Sequence, residues 1–369
     1  MKIGILTFHA SHNYGSMLQA YALQHYLLMH GHEAETINLR IKAQQDFYHF
    51  PLIPLKGKLK EYIKTFSNPV WLYHACRKWW KYETFLKENL RLTPKTYKSW
   101  EEILDDLPNL SYQCIITGGD QIWNMNCKDF SESYYVPSNL SNIRKIAYSP
   151  SFGGTFLSKI TEEQEAFIQK SVADYTKVSV RETSMQQYLE NLLGRDVSVT
   201  VDPTLLLRTE DYSKIIPEEP IVKDKYIYYY TPRINAKYEK LALLIGKKLG
   251  MKVITSFPRV YQNQGFSSVP ETGPAEFLNL LKNASLVVGK SFHLVVFSLL
   301  FHKEFIAFDG CNDARMKSIL EKLNILERGC VDENNYDSMK LSPIDFIEVD
   351  QILLQERIQS ELFLRDVLL

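Results

Sequence analysis

Short apolar, β-branched runs alternate with longer amphipathic stretches from the first residues onward. Lys2 to Phe8 (KIGILTF) is the continuous apolar run of a strand buried on both faces. A polar loop, His9 to Asn13, leads into a predicted helix over Tyr14 to His30, with Met17, Ala20, Tyr21, Leu27 and Leu28 on one face. Gly31 stops that helix, and Ala34 to Leu39 predicts the next strand. Strand, helix, strand is the grammar of a parallel α/β sheet. Further strands are predicted at Gln113 to Thr117, Lys145 to Tyr148, Lys177 to Val180 and Val197 to Val201.

Asp202-Pro203 and the run Pro217 to Lys225 (PEEPIVKDK) replace apolar periodicity with proline and charge, which marks a domain boundary. The alternation then restarts. Strands are predicted at Tyr226 to Tyr230, Lys252 to Thr255, Leu286 to Val288 and Glu304 to Phe308. Helices are predicted from Ala236 to Leu249, Pro274 to Lys282 and His293 to Phe301, and Asp350 is placed to cap a last one with a stripe of Leu354, Ile358 and Leu362. The fold class is therefore α/β, with two Rossmann-like domains facing across a cleft. Residues 1–204 form the first, with a basic aromatic insertion at about 45–100, and 205–349 the second; a C-terminal helix over 350–369 packs back on the first.

Composition narrows the function classes. Lys plus Arg and Asp plus Glu each total 43, so the chain carries no net charge and a nucleic-acid partner has no global support. Five Trp, 22 Tyr and 19 Phe exclude disorder. Five cysteines without a CxxC predict reduced thiols in a reducing compartment. The apolar run before His9 is too short for a signal-peptide core, and Leu294 to Phe301 falls well below the ~20 residues of a spanning helix, so a cytoplasmic protein is expected. The neutral total hides an asymmetry: Lys56 to Lys98 holds 11 Lys/Arg against three Glu, with nine aromatics. That stretch suits peripheral contact with the anionic inner face of a membrane; alternatively Trp79, Trp80 and Phe85 pack a helix while the lysines stay solvated.

Ligands of open parallel sheets bind beyond the carboxyl ends of the strands, which selects four stretches. His9 to Gly15 offers His12, Asn13, Tyr14 and Gly15 at a helix N-terminus; it lacks GxGxxG, and two histidines without a partner cluster make a poor metal site. Thr117 to Asn124 exposes amides at Gly118 and Gly119, followed by Asp120, Gln121, Trp123 and Asn124. Asp120 is either a general base for a sugar hydroxyl or a turn residue capping a helix, and Trp123 offers a flat face for a sugar ring. Arg181 follows a strand and suits a carboxylate or phosphate, or else pairs with Glu182 at the surface. Gly289 to His293 combines Lys290, a capping Ser291 and His293 at a helix start, an anion site in the second crevice.

Together these stretches resemble the polysaccharide pyruvyl transferase family. The resemblance is carried by GILTFHASHNYGSMLQAYALQHYL at the start, ITGGDQIWN at 116–124, YSPSFGG at 148–154, SVRE at 179–182, VDPTLLL at 201–207 and SFHLVVFSLLFHKEFIAF at 291–308. It implies a fold similar to the GT-B glycosyltransferases and phosphoenolpyruvate as co-substrate, with no other cofactor; on charge grounds no metal is needed if the cations of the site suffice. It also implies transfer of the three-carbon unit to two hydroxyls of a saccharide acceptor, in a surface polysaccharide or its lipid-linked precursor, as a cyclic ketal with release of phosphate. Arg181 and His293 match the family's basic positions around the donor, and Asp120 its cleft loop; on that reading His293 is the proton donor or a phosphate ligand, Arg181 holds the carboxylate or phosphate, and Asp120 is the general base. Lys290 stands where bacterial members often have Asp, Leu294-Val295 replaces Gly-Thr, and Ser291 replaces the Arg of some relatives; Ser16-Met17 in the first motif is expected to be neutral. Two other readings fit the fold. One is a nucleotide-sugar glycosyltransferase, for which Glu271 and Asp309 are the only candidate ribose ligands; the other is a non-catalytic saccharide-binding protein.

Overall fold

The computed structural model describes residues 1–52, 68–140, 142–153, 160–257, 265–332, 334–336 and 342–368. Residues 56–67 of the basic stretch and Gly154 of YSPSFGG lie outside the described residues. Two parallel sheets organise the chain. The first is six-stranded in the order β2-β1-β3-β4-β5-β6, from β1 (Lys2–Leu6), β2 (Glu33–Thr36), β3 (Cys114–Gly118), β4 (Arg144–Tyr148), β5 (Lys177–Val180) and β6 (Ser198–Val199). The second is five-stranded in the order β11-β10-β7-β8-β9, from β7 (Tyr226–Tyr230), β8 (Lys252–Thr255), β9 (Phe266–Ser268), β10 (Leu286–Gly289) and β11 (Phe305–Ala307). Every pairing is parallel, as the unbroken apolar runs require of strands covered on both faces.

The helix Tyr14–Met29 sits between the lobes. It is buried on nearly every side from Tyr14 to Leu27, because one face covers the first sheet and the other meets the second lobe. Tyr14 shows this directly: its ring stacks on Phe277 at 4.7 Å and its hydroxyl donates to the Thr272 carbonyl at 3.2 Å. The helix Pro69–Asn89 also spans both lobes. Leu72, Tyr82, Phe85 and Leu86 are its buried positions, and Trp79 Nε1 donates to the Tyr48 carbonyl. Its bases are not merely solvated: Arg77 and His74 pair with Glu271, Lys78 donates to the Ser256 carbonyl and Lys81 pairs with Glu276, all on the second lobe. Trp80, expected to pack, is 56 % exposed.

Two further expectations are corrected. The last helix runs Phe346–Leu368 and is capped by Asp345, whose carboxylate accepts from Ile347 and Glu348; Asp350 lies inside it and pairs with His302. Its buried face is Val349, Leu353, Ser360, Phe363, Leu364 and Val367, whereas Leu354 and Ile358 are exposed. Ser360 receives the Val201 amide, and Val367 receives Arg144 through its carbonyl, so the helix closes on the first lobe. Among the cysteines, Cys311 and Cys330 form a disulfide, because the turns after β11 fold onto each other and bring their Cα atoms to 5.4 Å. Of the remaining three thiols only Cys114 is buried.

Candidate functional site

The carboxyl ends of β3, β4, β5 and β6 present Asp120, Ser151, Arg181 with Glu182, and Asp202; those of β10 and β11 present His293 and Arg315 from the other lobe. Asp202 joins them. Its Oδ1 is occupied by the Thr204 amide (2.9 Å) and hydroxyl (2.6 Å), a local turn dictated by the Asp-Pro-Thr sequence. Its Oδ2 is left to face an Arg181 Nη2 at 2.5 Å and the His293 Nε2 at 3.6 Å. Burial works to raise the Asp202 carboxyl, but Arg181 and then His293 outweigh it and hold it well below the usual carboxylate range. Arg181 is buried, and its Nε and Nη1 have no hydrogen-bond partner among the described residues. Its guanidinium lies 4.7 Å from the centre of the Phe292 ring, while that of Arg315 lies 5.8 Å from the same ring.

His293 starts the helix Phe292–Leu300 and rests on Gly15: a Cβ there would fall 2.0 Å from His293 Nδ1. Gly15 is thus required by close approach of the opposite lobe. Asp120 occupies a left-handed turn (φ 49°), accepts the Ser16 hydroxyl at Oδ2 and receives the Ser151 amide through its carbonyl at 2.8 Å; it does not cap a helix. Ser16, expected to be neutral, therefore orients the cleft carboxylate. Glu182 is buried and turns to Ser151, which donates to its Oε1, so it is not a surface partner of Arg181; burial raises its carboxyl above the ordinary value against the opposing pull of Arg181.

The polysaccharide pyruvyl transferase family model matches residues 13–312, which include every one of these groups except Arg315. The chain belongs to the polysaccharide pyruvyl transferase family. No curated protein matches it. Among solved structures, the Candida albicans trehalose-6-phosphate phosphatase N-terminal domain is similar at TM-score 0.50 and 12 % identity, over 99 % of this chain and 96 % of that one. UDP-N-acetylglucosamine 2-epimerase from Rickettsia bellii (TM-score 0.48, 9 %, 98 % and 95 %) and glycosyltransferase SnogD from Streptomyces nogalater (0.43, 10 %, 97 % and 94 %) are also similar. The likeness at TM-score 0.50 is one of fold alone, and the fold itself is two parallel sheets in an α/β arrangement.

The other expected positions divide. In this pyruvyl transferase family member Lys290 is turned to the Tyr238 hydroxyl at 3.1 Å, which itself donates to Asp309, so its ammonium is drawn from the Arg181–His293 cluster. Ser291 precedes the helix without a side-chain capping bond. Trp123 is fully buried, stacked on Tyr135 at 5.1 Å, and belongs to the core where no sugar reaches it. Gln121 accepts from Asn124 beside Gly153. Gly118 packs against the Tyr148 carbonyl, and Gly119 takes a left-handed turn (φ 66°) against Gln19.

Asn13 caps the first helix through the Gly15 and Ser16 amides. His12 pairs with Glu83 at 3.0 Å and stacks on Tyr82 at 4.8 Å; burial lowers its imidazole below the ordinary value despite Glu83, whose own carboxyl is held at about 2 by His12 and Arg40 against burial. His9 is core, lowered to about 4 by burial. No group of three His, Cys, Asp or Glu among the described residues is placed to hold a metal. Glu271 and Asp309 are engaged, by His74 and Arg77 and by Tyr238 and Lys237 respectively. Asp202, Arg315 and Glu182 were not singled out by residue type; VDPT and SVRE were the signals in the sequence that contained two of them.

Proposed function

We propose that this protein transfers the three-carbon unit of phosphoenolpyruvate to two hydroxyls of a saccharide, forming a cyclic ketal and releasing phosphate. The observation that carries this is the convergence of Arg181 and His293, from opposite lobes, on one carboxylate oxygen of Asp202, with Arg181 Nε and Nη1 unpartnered among the described residues. A small frame bearing a carboxylate and a phosphate needs cations converging within a few ångströms, and a guanidinium with spare donors in a buried site meets that need. Arg181 binds the donor carboxylate or phosphate, and His293 binds the phosphate beside it. A proton adds to carbon 3, carbon 2 becomes oxocarbenium-like, and the first sugar hydroxyl attacks it while Asp120 takes its proton. Phosphate then leaves with the carbon–oxygen electrons, and the second hydroxyl closes the ring.

The acceptor is a polysaccharide or its lipid-linked precursor. Exposed Val70, Tyr73 and Trp80 on the helix Pro69–Asn89 support contact with a membrane surface, although no helix among the described residues is long and apolar enough to cross a membrane. Salt-sensitive binding to anionic vesicles tests that part. The reaction is tested by thermal shift with phosphoenolpyruvate, nucleotide sugars and free glycans, then by acceptor-dependent phosphate release. Stabilisation by phosphoenolpyruvate and loss of phosphate release in His293→Ala are expected. Stabilisation by a nucleotide sugar alone, or normal turnover of the variant, overturns the reading.

A further inference from the structure

Protonation of carbon 3 needs a group that carries its proton at rest, and the carboxyls of the site differ in this respect. Asp202 is ion-paired to Arg181, and Asp313 is bonded through both oxygens to Arg315, at 3.1 Å to Nε and 2.7 Å to Nη2. Each therefore stays a carboxylate, despite burial. Asp120 accepts a hydroxyl and is assigned to the attacking alcohol. Glu182 is built differently. It stands at the N-terminus of the helix Thr183–Leu193 yet makes no side-chain bond to that helix's amides, which would have favoured its charge. Its Oε1 accepts from Ser151, and its buried Oε2 has no hydrogen-bond partner among the described residues. Charged groups reach it from each neighbouring element: Arg181 on its own strand end, and Arg315 and Asp313 from the opposite lobe.

We infer that Glu182 is the acid that delivers the proton to carbon 3 of the donor, leaving His293 to hold the phosphate. The inference rests on the donor reading above. The Glu182 O–H breaks, and the carbon 2–carbon 3 π pair forms the new C–H bond of the methyl group. The first alcohol adds to carbon 2, and phosphate leaves with its bonding electrons as the second alcohol closes the ketal. Of the two alcohol protons, the one taken by Asp120 passes to the departing phosphate and the other restores Glu182, so the enzyme returns unchanged. An unpartnered carboxyl inside a site with two guanidinium groups fits this role: neutral before the step, its carboxylate is stabilised by Arg181 and Arg315 as it forms.

Two variants of the full chain test it, with the wild type showing whether the underlying reaction occurs at all. Glu182→Gln is expected to bind phosphoenolpyruvate within about threefold of wild type by titration and to lose roughly 10²- to 10⁴-fold in phosphate release. Ser151→Ala removes a donor that favours the carboxylate, so the alkaline limb of its kcat–pH profile should move to higher pH, because the acid keeps its proton longer. A protein that served only structure would not move that limb. If Glu182→Gln fails to fold, the Ser151→Ala limb decides. Wild-type turnover with an unmoved Ser151→Ala limb, or with Glu182→Gln within about threefold of normal rate, overturns the assignment. Absence of any wild-type reaction with phosphoenolpyruvate overturns the donor reading and with it this inference.

Discussion

Replacing Asp202 by Asn keeps the shape of the side chain and removes the one charge shared by Arg181 and His293. The carboxylate is fully buried, so its loss leaves a buried guanidinium facing a neutral amide, and removing one partner of such a pair costs about 3–5 kcal/mol. Unfolding entropy of ~2.1 cal/mol/K per residue, over 369 residues, is roughly 0.8 kcal/mol/K, so the melting temperature should fall by about 4–6 °C. The carboxyl is held low in the fold, so its contribution is present above the unfolded value of about 4 and is lost as pH falls through and below it; the gap between wild type and variant should close in acid. A dianionic donor would replace the missing charge. Phosphoenolpyruvate should therefore raise the melting temperature of the variant more than that of wild type, even though turnover falls. Scanning calorimetry from pH 3 to 8, with and without the donor, reads all three effects. Equal melting temperatures at neutral pH, or a smaller donor shift in the variant, would refute the view that Asp202 balances Arg181 beside His293.

Gly15→Ala would drive a methyl group into the His293 ring; kcat/KM should drop by at least ~10² and the melting temperature should fall as well, because the overpacking outweighs the gain of a better helix former. Trp123→Ala should destabilise by about 3–5 kcal/mol, seen in denaturant titration, with the acceptor KM of the folded fraction unchanged; a raised acceptor KM would restore the sugar-stacking role. Reducing Cys311–Cys330, which spans 19 positions, should cost about 3 kcal/mol, observed as an earlier melting transition in thiol-containing buffer and mimicked by Cys311→Ser.

Much of the fold is legible because buried parallel strands announce themselves. Tyr226–Tyr230 is a continuous apolar run and Lys252–Thr255 and Lys177–Val180 are short β-branched runs behind one exposed lysine, while Gly250 and Pro274 mark neighbouring helix ends. The positions of Arg181, Asp120 and His293 are legible by the same logic, since strand ends fix where they stand. Asp202 is not, because an Asp-Pro pair looks like punctuation until the fold places it opposite Arg181 and His293. Trp123 and Lys290 misled for the converse reason: residue type advertises chemistry, while only packing shows that the indole faces Tyr135 and the ammonium Tyr238. The last helix was misread because its apolar residues exceed its buried face, and the disulfide because nothing in the spacing of Cys311 and Cys330 sets them apart.

The helix Pro69–Asn89 holds Glu83 against His12 and Arg40 on one lobe while His74, Arg77 and Lys81 grip Glu271 and Glu276 on the other. Any excursion that parts the lobes to admit a bulky glycan must break the second set, whose partners are partly wetted and so weakened by electrolyte. The breathing of the cleft is thereby tied to ionic strength, and glycan entry should quicken in brine while the grip on a small donor, deeper between the lobes, loosens.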